Sequence, residues 1–422
     1  MALTTAHSSS LLLATINNVG TRALGTSATH LVGAKTKASL SRPGLKNIVV
    51  VDGVRTPFLV SGTQYQKLMP HDIARQALRG LVSRVGLDKA SVDYITMGTV
   101  IHEVKTSNVA REAALGAGFS DKIPAHTVAM ACISSNQAIT TCAGLLYAGV
   151  YDACIAGGVE FMSDVPIRHS RKMRELLLKL NRAKTTGARL SLLSQLSLKH
   201  FMPDVPAVAE FSTNESMGHS ADRLAAAFQI SREEQDEFAL RSHTLAHKAQ
   251  EAGHLSDVVP FKVPGVDQVV EKDNGIRVST PDQLAKLKPA FVKPHGTITA
   301  ANSSFLVLGK AGLKNSDVDV WEIHEAFAGQ VLANFKAMDS DWFAKTYQGR
   351  SEKVGAPDPD KINTWGGSLS IGHPFAATGV RLLMHSAHRL IKEDGHYACI
   401  TACAAGGQGV GMLIERYPGA TV

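Results

Sequence analysis

The chain has 422 residues, 44% of them hydrophobic and 6% aromatic, with a formal net charge of +7. That length allows two or three domains, and the composition is that of an ordinary α/β enzyme rather than a disordered or disulfide-stapled chain. No apolar run approaches the eighteen or so residues of a spanning helix, which excludes a helical membrane span.

Residues 1–46 contain no Asp or Glu, and they carry Arg22, Lys35, Lys37, Arg42 and Lys46 among Ser, Thr, Ala and Leu. Such a segment reads as a mitochondrial or plastid transit peptide, expected to stand outside the fold, with a plain disordered tail as the alternative. Without its five cations the net charge is about +2, so the basic balance carries no argument for nucleic acid.

Residues 47–54 (Asn-Ile-Val-Val-Val-Asp-Gly-Val) form a continuous apolar strand of the kind covered on both faces. The spacing of Ile73, Ala77, Leu78, Leu81 and Val82 predicts a helix over 72–85, ended by Gly86. A strand at 92–97, a short helix at 110–116, a strand at 128–131, a helix at 136–148 and a strand at 153–157 follow. This alternation predicts a largely parallel sheet covered by helices, making 47–164 one α/β half.

Residues 165–300 break the pattern. Between 168 and 200, Arg168, Arg171, Lys172, Arg174, Lys179, Arg182, Lys184, Arg189 and Lys199 interleave with leucines. Such a segment suits either contact with an anionic membrane surface or a partner, or a solvated helix pair covering its own domain. Ser231 with Glu234 marks a capping box within a long helical stretch, 217–250.

Residues 301–422 repeat the first half: Gly86-Leu87 before Val92-Asp93 is matched by Gly312-Leu313 before Val318-Asp319. The repeat exposes a gap, because between Thr299 and Gly312 there is room for neither the strand nor the helix that precede the first Gly-Leu. The second half is therefore expected to lack its first strand and helix and the next strand.

Three reactive side chains fall at strand ends, where an open α/β sheet gathers its chemistry, and a fourth in a turn at a helix start. Cys132 lies between a strand and a helix N-terminus, a setting that lowers a thiol pKa, although a buried inert cysteine has the same spacing. His324 follows the strand 318–323. His373 sits between Gly372 and Pro374 in a stiff turn, with a helix expected to begin at the proline. Cys403 precedes Ala404-Ala405-Gly406-Gly407, a turn able to present N–H groups to an oxyanion. The other cysteines, Cys142, Cys154 and Cys399, lack the spacing of a disulfide framework or a zinc site.

Met130-Ala-Cys132-Ile-Ser-Ser-Asn-Gln-Ala-Ile139, the stretch Asn363 to Arg381 and Cys403-Ala-Ala-Gly-Gly-Gln-Gly409 resemble, in order, the three signatures of the thiolases. The resemblance covers nearly everything after residue 46. It implies a duplicated α/β fold, two βαβαβαββ halves layered α-β-α-β-α, and cleavage of a 3-ketoacyl-CoA by CoA. In that chemistry Cys132 is the nucleophile, His373 its base and Cys403 the second acid and base. The N–H groups of Cys132 and Ala405 form one oxyanion hole, and His324 with His373 forms the other. Met217, Phe291 and Ser304 are expected to line the CoA channel; CoA is a substrate, and no cofactor or metal is implied.

His324 stands where most thiolases have Asn, and with the basic insertion it resembles the mitochondrial branch acting in fatty acid β-oxidation within a multifunctional complex. That implies a homo-oligomer partnered by an α subunit carrying hydratase and hydroxyacyl dehydrogenase activities. Two departures stand out. Ala376 replaces a glycine, which is expected to crowd the turn if backbone approaches closely there. Asn302-Ser303-Ser304-Phe305-Leu306 runs directly into Val307, where thiolases continue with Asp-Gly-Ala and many more residues. The absent strand is expected at the middle of its sheet, which would leave an impaired or structural isoform as one alternative. A decarboxylating ketoacyl synthase, which shares a related fold, and a membrane-bound scaffold are the others.

Overall fold

The structure is a computed structural model, and it describes residues 6–16, 40, 46–299 and 315–421. Its strands are β1 (Ala6–Ile16), β2 (Ile48–Arg55), β3 (Leu59–Val60), β4 (Tyr94–Gly98), β5 (Ala125–Val128), β6 (Ala153–Glu160), β7 (Phe261–Lys262), β8 (Val269–Val270), β9 (Val320–Ile323), β10 (Tyr397–Ala404) and β11 (Gln408–Glu415). The α-helices are α1 (Pro70–Val85), α2 (Val109–Gly116), α3 (Ser134–Tyr147), α4 (Arg171–Arg182), α5 (Thr186–Leu193), α6 (Leu198–Phe201), α7 (Met217–Ala227), α8 (Arg232–Glu251), α9 (Pro281–Ala285), α10 (Ala328–Met338), α11 (Asp341–Tyr347), α12 (Ser368–Ile371) and α13 (Thr378–Lys392).

The first sheet runs β2-β1-β6-β4-β5 with β3 beside β1, and the second runs β11-β10-β9. In the first half β6, the strand after α3, pairs parallel with β4, and in the second β10, the strand after α13, pairs parallel with β9. Its other side takes an antiparallel strand, β1 or β11. Helices α1 and α2 cover the outer face of the first sheet through Ile73, Ala77, Leu78, Ala110 and Ala113. Between the sheets lie α3 and α13, whose Ile139, Cys142, Val380 and Leu383 share a core with Ile400 and Ala402. Trp321, Ile323 and Val331 join α10 to the far face of the second sheet. The layers are therefore α-β-α-β-α, as the resemblance implies.

Local sequence accounts for most elements. Helix α1 opens with Pro70 and stops at Gly86, whose φ of 60° is left-handed. Ser231 and Glu234 complete the expected capping box on α8. The stretch expected as long helices over 217–250 divides into α7 and α8 at Gln229, a left-handed residue with φ 53°. The basic segment becomes α4, α5 and α6, each preceded by a Ser or Thr N-cap.

Three expectations change, one about the leader and two about the gap. Residues 6–16, expected outside the fold, form a central strand of the first sheet, antiparallel to β2 over 10–16 and to β6 over 8–15. The second half explains why a strand is needed there. After β10 the chain turns back at once as antiparallel β11, whereas after β6 it leaves for the insertion, so the matching place beside β6 is taken by the distant N-terminal segment. The first strand of a half, β2, lies at a sheet edge, so the strand absent beside β11 is an edge strand and not a middle one. The next strand of the second half is present as β9, and residues 300–314 lie outside the described residues.

A chain beginning at residue 41 should lose the ladders on both sides of β1. At roughly 1 kcal/mol per backbone hydrogen bond, their sum is comparable with the whole stability of an ordinary domain. The expected outcome is a broad, non-cooperative melt and aggregation on gel filtration, against a cooperative melt for the full chain. A truncated chain that melts like the full one would remove β1 from the fold.

Candidate active site

Cys132 follows the end of β5 on a sharp turn in which Ala131 is left-handed, with φ 45°. The turn is tied by Ser134, whose Oγ donates to the Ala131 carbonyl at 2.7 Å and accepts the Met130 N–H at 2.8 Å. Helix α3 thus begins two residues after the thiol. The His373 turn is built differently from expectation: Pro374 does not open the helix, and α13 starts at Thr378 after a turn closed by Ala377 and Thr378 N–H groups on the Pro374 carbonyl.

The starts of α3 and α13 abut. Gly379 donates its N–H to Ser135 Oγ at 3.0 Å, and a Cβ on Gly379 would collide with Asn136. A Cβ on Gly158 would likewise collide with the Ala376 carbonyl oxygen. Ala376 itself is fully buried and is not left-handed, and the glycine that the close backbone contact demands is the one on β6. Glu160, at the end of β6, accepts the N–H groups of Val100 and Ile101 at 3.2 and 2.9 Å and interacts with the Ala376 backbone. Burial pushes its carboxyl up to about 7 against these hydrogen bonds.

The thiol does not behave as its helix N-terminus suggests. Burial, and then proximity to Cys403, push Cys132 up to about 12, and the N–H groups of Ala405 and Cys132 only partly offset this. Desolvation of the thiolate outweighs the helix terminus, and the resting sulfur is a thiol. The Ala405 N–H is nevertheless beside the sulfur, and Cys403 is near enough to act on it electrostatically.

His324 is fully buried, and its backbone N–H donates to Thr401 on β10, two residues before Cys403. Its ring lies 4.0 Å, centroid to centroid, from that of His373 at 45°. Thr378 Oγ1 is 2.7 Å from His373 Nδ1 and donates its own proton to the Pro374 carbonyl at 3.0 Å. The hydroxyl must then accept from the ring, so His373 carries its proton on Nδ1 and Nε2 is a bare lone pair. Burial and the charge of Arg381 hold this ring down to about 3, and burial with His373 and Arg381 holds His324 well below the usual range. Both are neutral, and neither Nε2 has a hydrogen-bond partner among the described residues.

Phe291 reaches the same region, its ring over Gly218, 6.4 Å from His219 and 5.6 Å from Phe327 in a T-shape. Met217 opens α7 beside it, half-buried. Ser304 lies outside the described residues. No cluster able to hold a metal ion occurs among the described residues. Thr378, Ser368, Arg381 and Glu160 were not singled out from sequence; a hydroxyl five residues to either side of His373 was the available signal.

Family models match the chain twice, as "Thiolase, N-terminal domain" over residues 48–314 and as "Thiolase, C-terminal domain" over residues 284–416. The chain is 61% identical over 437 aligned positions to the mouse "Trifunctional enzyme subunit beta, mitochondrial", covering 92% of each chain. It is 60% identical to the human protein of that name, covering 93% of each, and 52% identical to a "Probable 3-ketoacyl-CoA thiolase" of Caenorhabditis elegans, covering 91% of this chain and 97% of that one. Since 92% of 422 residues is about 388, some 49 of the 437 positions in the mouse alignment have no residue here. Among solved structures, human mitochondrial 3-ketoacyl-CoA thiolase superposes with a TM-score of 0.69 at 25% identity, over 86% of this chain and 96% of that one. The Bacillus anthracis acetyl-CoA acetyltransferase gives the same score and coverage at 28% identity.

A resting thiol predicts how Cys132 reacts without substrate. Its alkylation by iodoacetamide, followed peptide by peptide in a mass spectrometer, should rise about tenfold per pH unit from 7 to 10. A plateau below pH 9 would mean that the thiolate is already formed.

Proposed function

This chain belongs to the thiolase family, and on that premise we propose that it is a mitochondrial 3-ketoacyl-CoA thiolase of fatty acid β-oxidation, working through an acyl-enzyme on Cys132. The observation that carries the proposal is the pair of facing neutral histidines with unpartnered Nε2 atoms, beside the strand end that bears Cys403. His373 Nε2 takes the Cys132 proton as the sulfur attacks the 3-keto carbon. The bond between the second and third carbons then breaks, leaving the shortened acyl group on sulfur and an acetyl-CoA enolate that Cys403 protonates. Cys403 next takes the proton of incoming CoA, whose thiolate displaces Cys132 to release the shortened acyl-CoA, and the proton on His373 returns to Cys132.

The N–H groups of Cys132 and Ala405 receive the oxyanion at the attacked carbon, and His324 with His373 receives that of the thioester enolate, each donor typically worth about 3 kcal/mol. A neutral resting pair suits this sequence, since charge develops only when substrate has filled the site. Phe291, with Met217, forms the wall for the pantetheine arm, and Ser304 belongs to the same channel by family likeness.

The relatives' names support an α-subunit partner and a mitochondrial location. The acid-free composition of 1–46 supports an import signal, one that must stay on the chain if residues 6–16 are to serve as β1, and the matrix side of the inner membrane is the site of action. Along α4 to α6, Leu178, Leu190, Leu198 and Phe201 are between 59% and 88% exposed among the basic residues, which supports peripheral contact with an anionic membrane. The shortened region after Leu306 favours a second reading, an impaired or structural isoform that keeps the reactive residues.

Incubation with a 3-ketoacyl-CoA in the absence of CoA should leave an acyl adduct on Cys132, detectable by peptide mass. Cys132→Ser should lower thiolysis at least about a thousandfold. Monodisperse, cooperatively melting protein that neither turns over nor forms the adduct would establish the structural isoform instead. Liposomes with cardiolipin should co-sediment the protein at low salt and release it as salt rises, and binding that ignores salt would count against the basic helices.

A further inference from the structure

The proposed chemistry needs opposite things from two chemically identical rings: a bare nitrogen on His373 and an N–H on His324. Thr378 supplies the first, as described above. For His324 the partner is Ser368, whose Oγ lies 2.8 Å from Nδ1. The same oxygen accepts from Arg381 Nη2 at 3.1 Å. A guanidinium only donates, so one lone pair of Ser368 is committed to Arg381. The hydroxyl proton has one acceptor within reach among its described contacts, the Nδ1 of His324, and the imidazole proton is left on Nε2.

We propose that Ser368 and Arg381 are positioning residues that fix His324 as its Nε2–H tautomer, so that it donates to the enolate oxygen while His373 keeps its lone pair for the thiol. This inference rests on the thiolase reading of the site for its consequence in turnover, but the tautomer follows from the hydrogen bonds alone. The relay is anchored. Arg381 is fully buried on α13 and pairs with Glu322 Oε2 at 3.4 Å, while Arg389 Nη1 holds the other carboxylate oxygen at 2.8 Å. Glu322 and His324 are two residues apart around the end of β9, on the same side of the strand, so the path from Glu322 through Arg381 and Ser368 returns to the ring it orients. Without the Ser368 proton, Nδ1 would be unsatisfied in a buried site. Nothing would then hold the ring proton on Nε2, and its transfer to Nδ1 would turn a lone pair toward the enolate.

The test reads the tautomer directly, in substrate-free protein labelled with 15N-histidine, using the nitrogen shifts and proton couplings of the His324 ring assigned by its loss in His324→Gln. The native protein should show Nε2 protonated on His324 and Nδ1 protonated on His373. Ser368→Ala should mix or reverse the His324 tautomer and lower kcat roughly 100-fold with KM within about twofold. Ser368→Thr, which keeps the hydroxyl, should restore the tautomer. Arg381→Lys should weaken the effect on the tautomer less than Arg381→Met. Native protein with Nδ1 protonated on His324 overturns the proposal, even if no variant folds. A Ser368→Ala protein that keeps the native tautomer, or that keeps native kcat after losing it, overturns it as well. An inactive native protein with the expected tautomers would count against the thiolase reading and leave the hydrogen-bond relay standing.

Discussion

The site depends on how closely the N-termini of α3 and α13 approach each other between the two sheets. Each helix follows a turn that carries a reactive side chain, Cys132 in one half and His373 in the other. Their approach is set by backbone, not by long side chains: the Ala376 carbonyl rests where a Gly158 Cβ would be, and Gly379 gives its N–H to Ser135 of the opposite half. That bond satisfies a donor which the first turn of α13 cannot pair internally, so the contact caps the helix as well as placing it. A methyl group at either glycine would push the halves apart, and a displacement of about 1 Å is enough to lose productive geometry between a base and a thiol.

The same closeness removes water, and burial then decides the protonation states. A helix N-terminus contributes about 0.3–1 kcal/mol at a surface, and up to about 2 in good geometry. Burying an ion costs several kcal/mol. The position of Cys132 at a helix start was legible in the sequence, but its desolvation was not, because Cys132 packs on a core that α3 shares with α13 and β10 of the other half. Cys132, His324 and Cys403 could be singled out because reactive types at strand ends are local features, and His373 because its Gly-His-Pro turn is one too. The hydroxyls of Ser368 and Thr378 looked like ordinary turn residues, since their role appears only when both lone pairs and the proton of each are counted.

Fold class was legible from the alternation of strands and helices, and duplication from the paired Gly-Leu motifs. Strand order was not. Whether a strand lies at the edge or the centre of a sheet is a long-range outcome, and nothing in 48–55 distinguishes β2 at an edge from a central strand. The expectation of a missing middle strand failed for that reason. The leader carries the complementary lesson. Ser8-Ser9-Ser10-Leu11-Leu12-Leu13 suits a transit peptide by composition, and the same short, uncharged run has nothing to forbid pairing once β6 offers an open edge.

The second half holds its site through ions where its sheet is short. Arg381, His385 and Arg389 recur every four residues on one face of α13, all buried, and all three approach Glu322 on β9. The opposite face, with Val380 and Leu383, enters the apolar core shared with α3. A helix with one ionic and one apolar face between two sheets can seat in a single rotation, because turning it would bury unpaired guanidinium groups at several kcal/mol each. Apart from each other, the described hydrogen-bond partners of His324 and His373 come from β10, α12 and α13. The hydrogen bonds that set the tautomer and the position of His324 and His373 therefore form within the second half itself, from residues between 368 and 401.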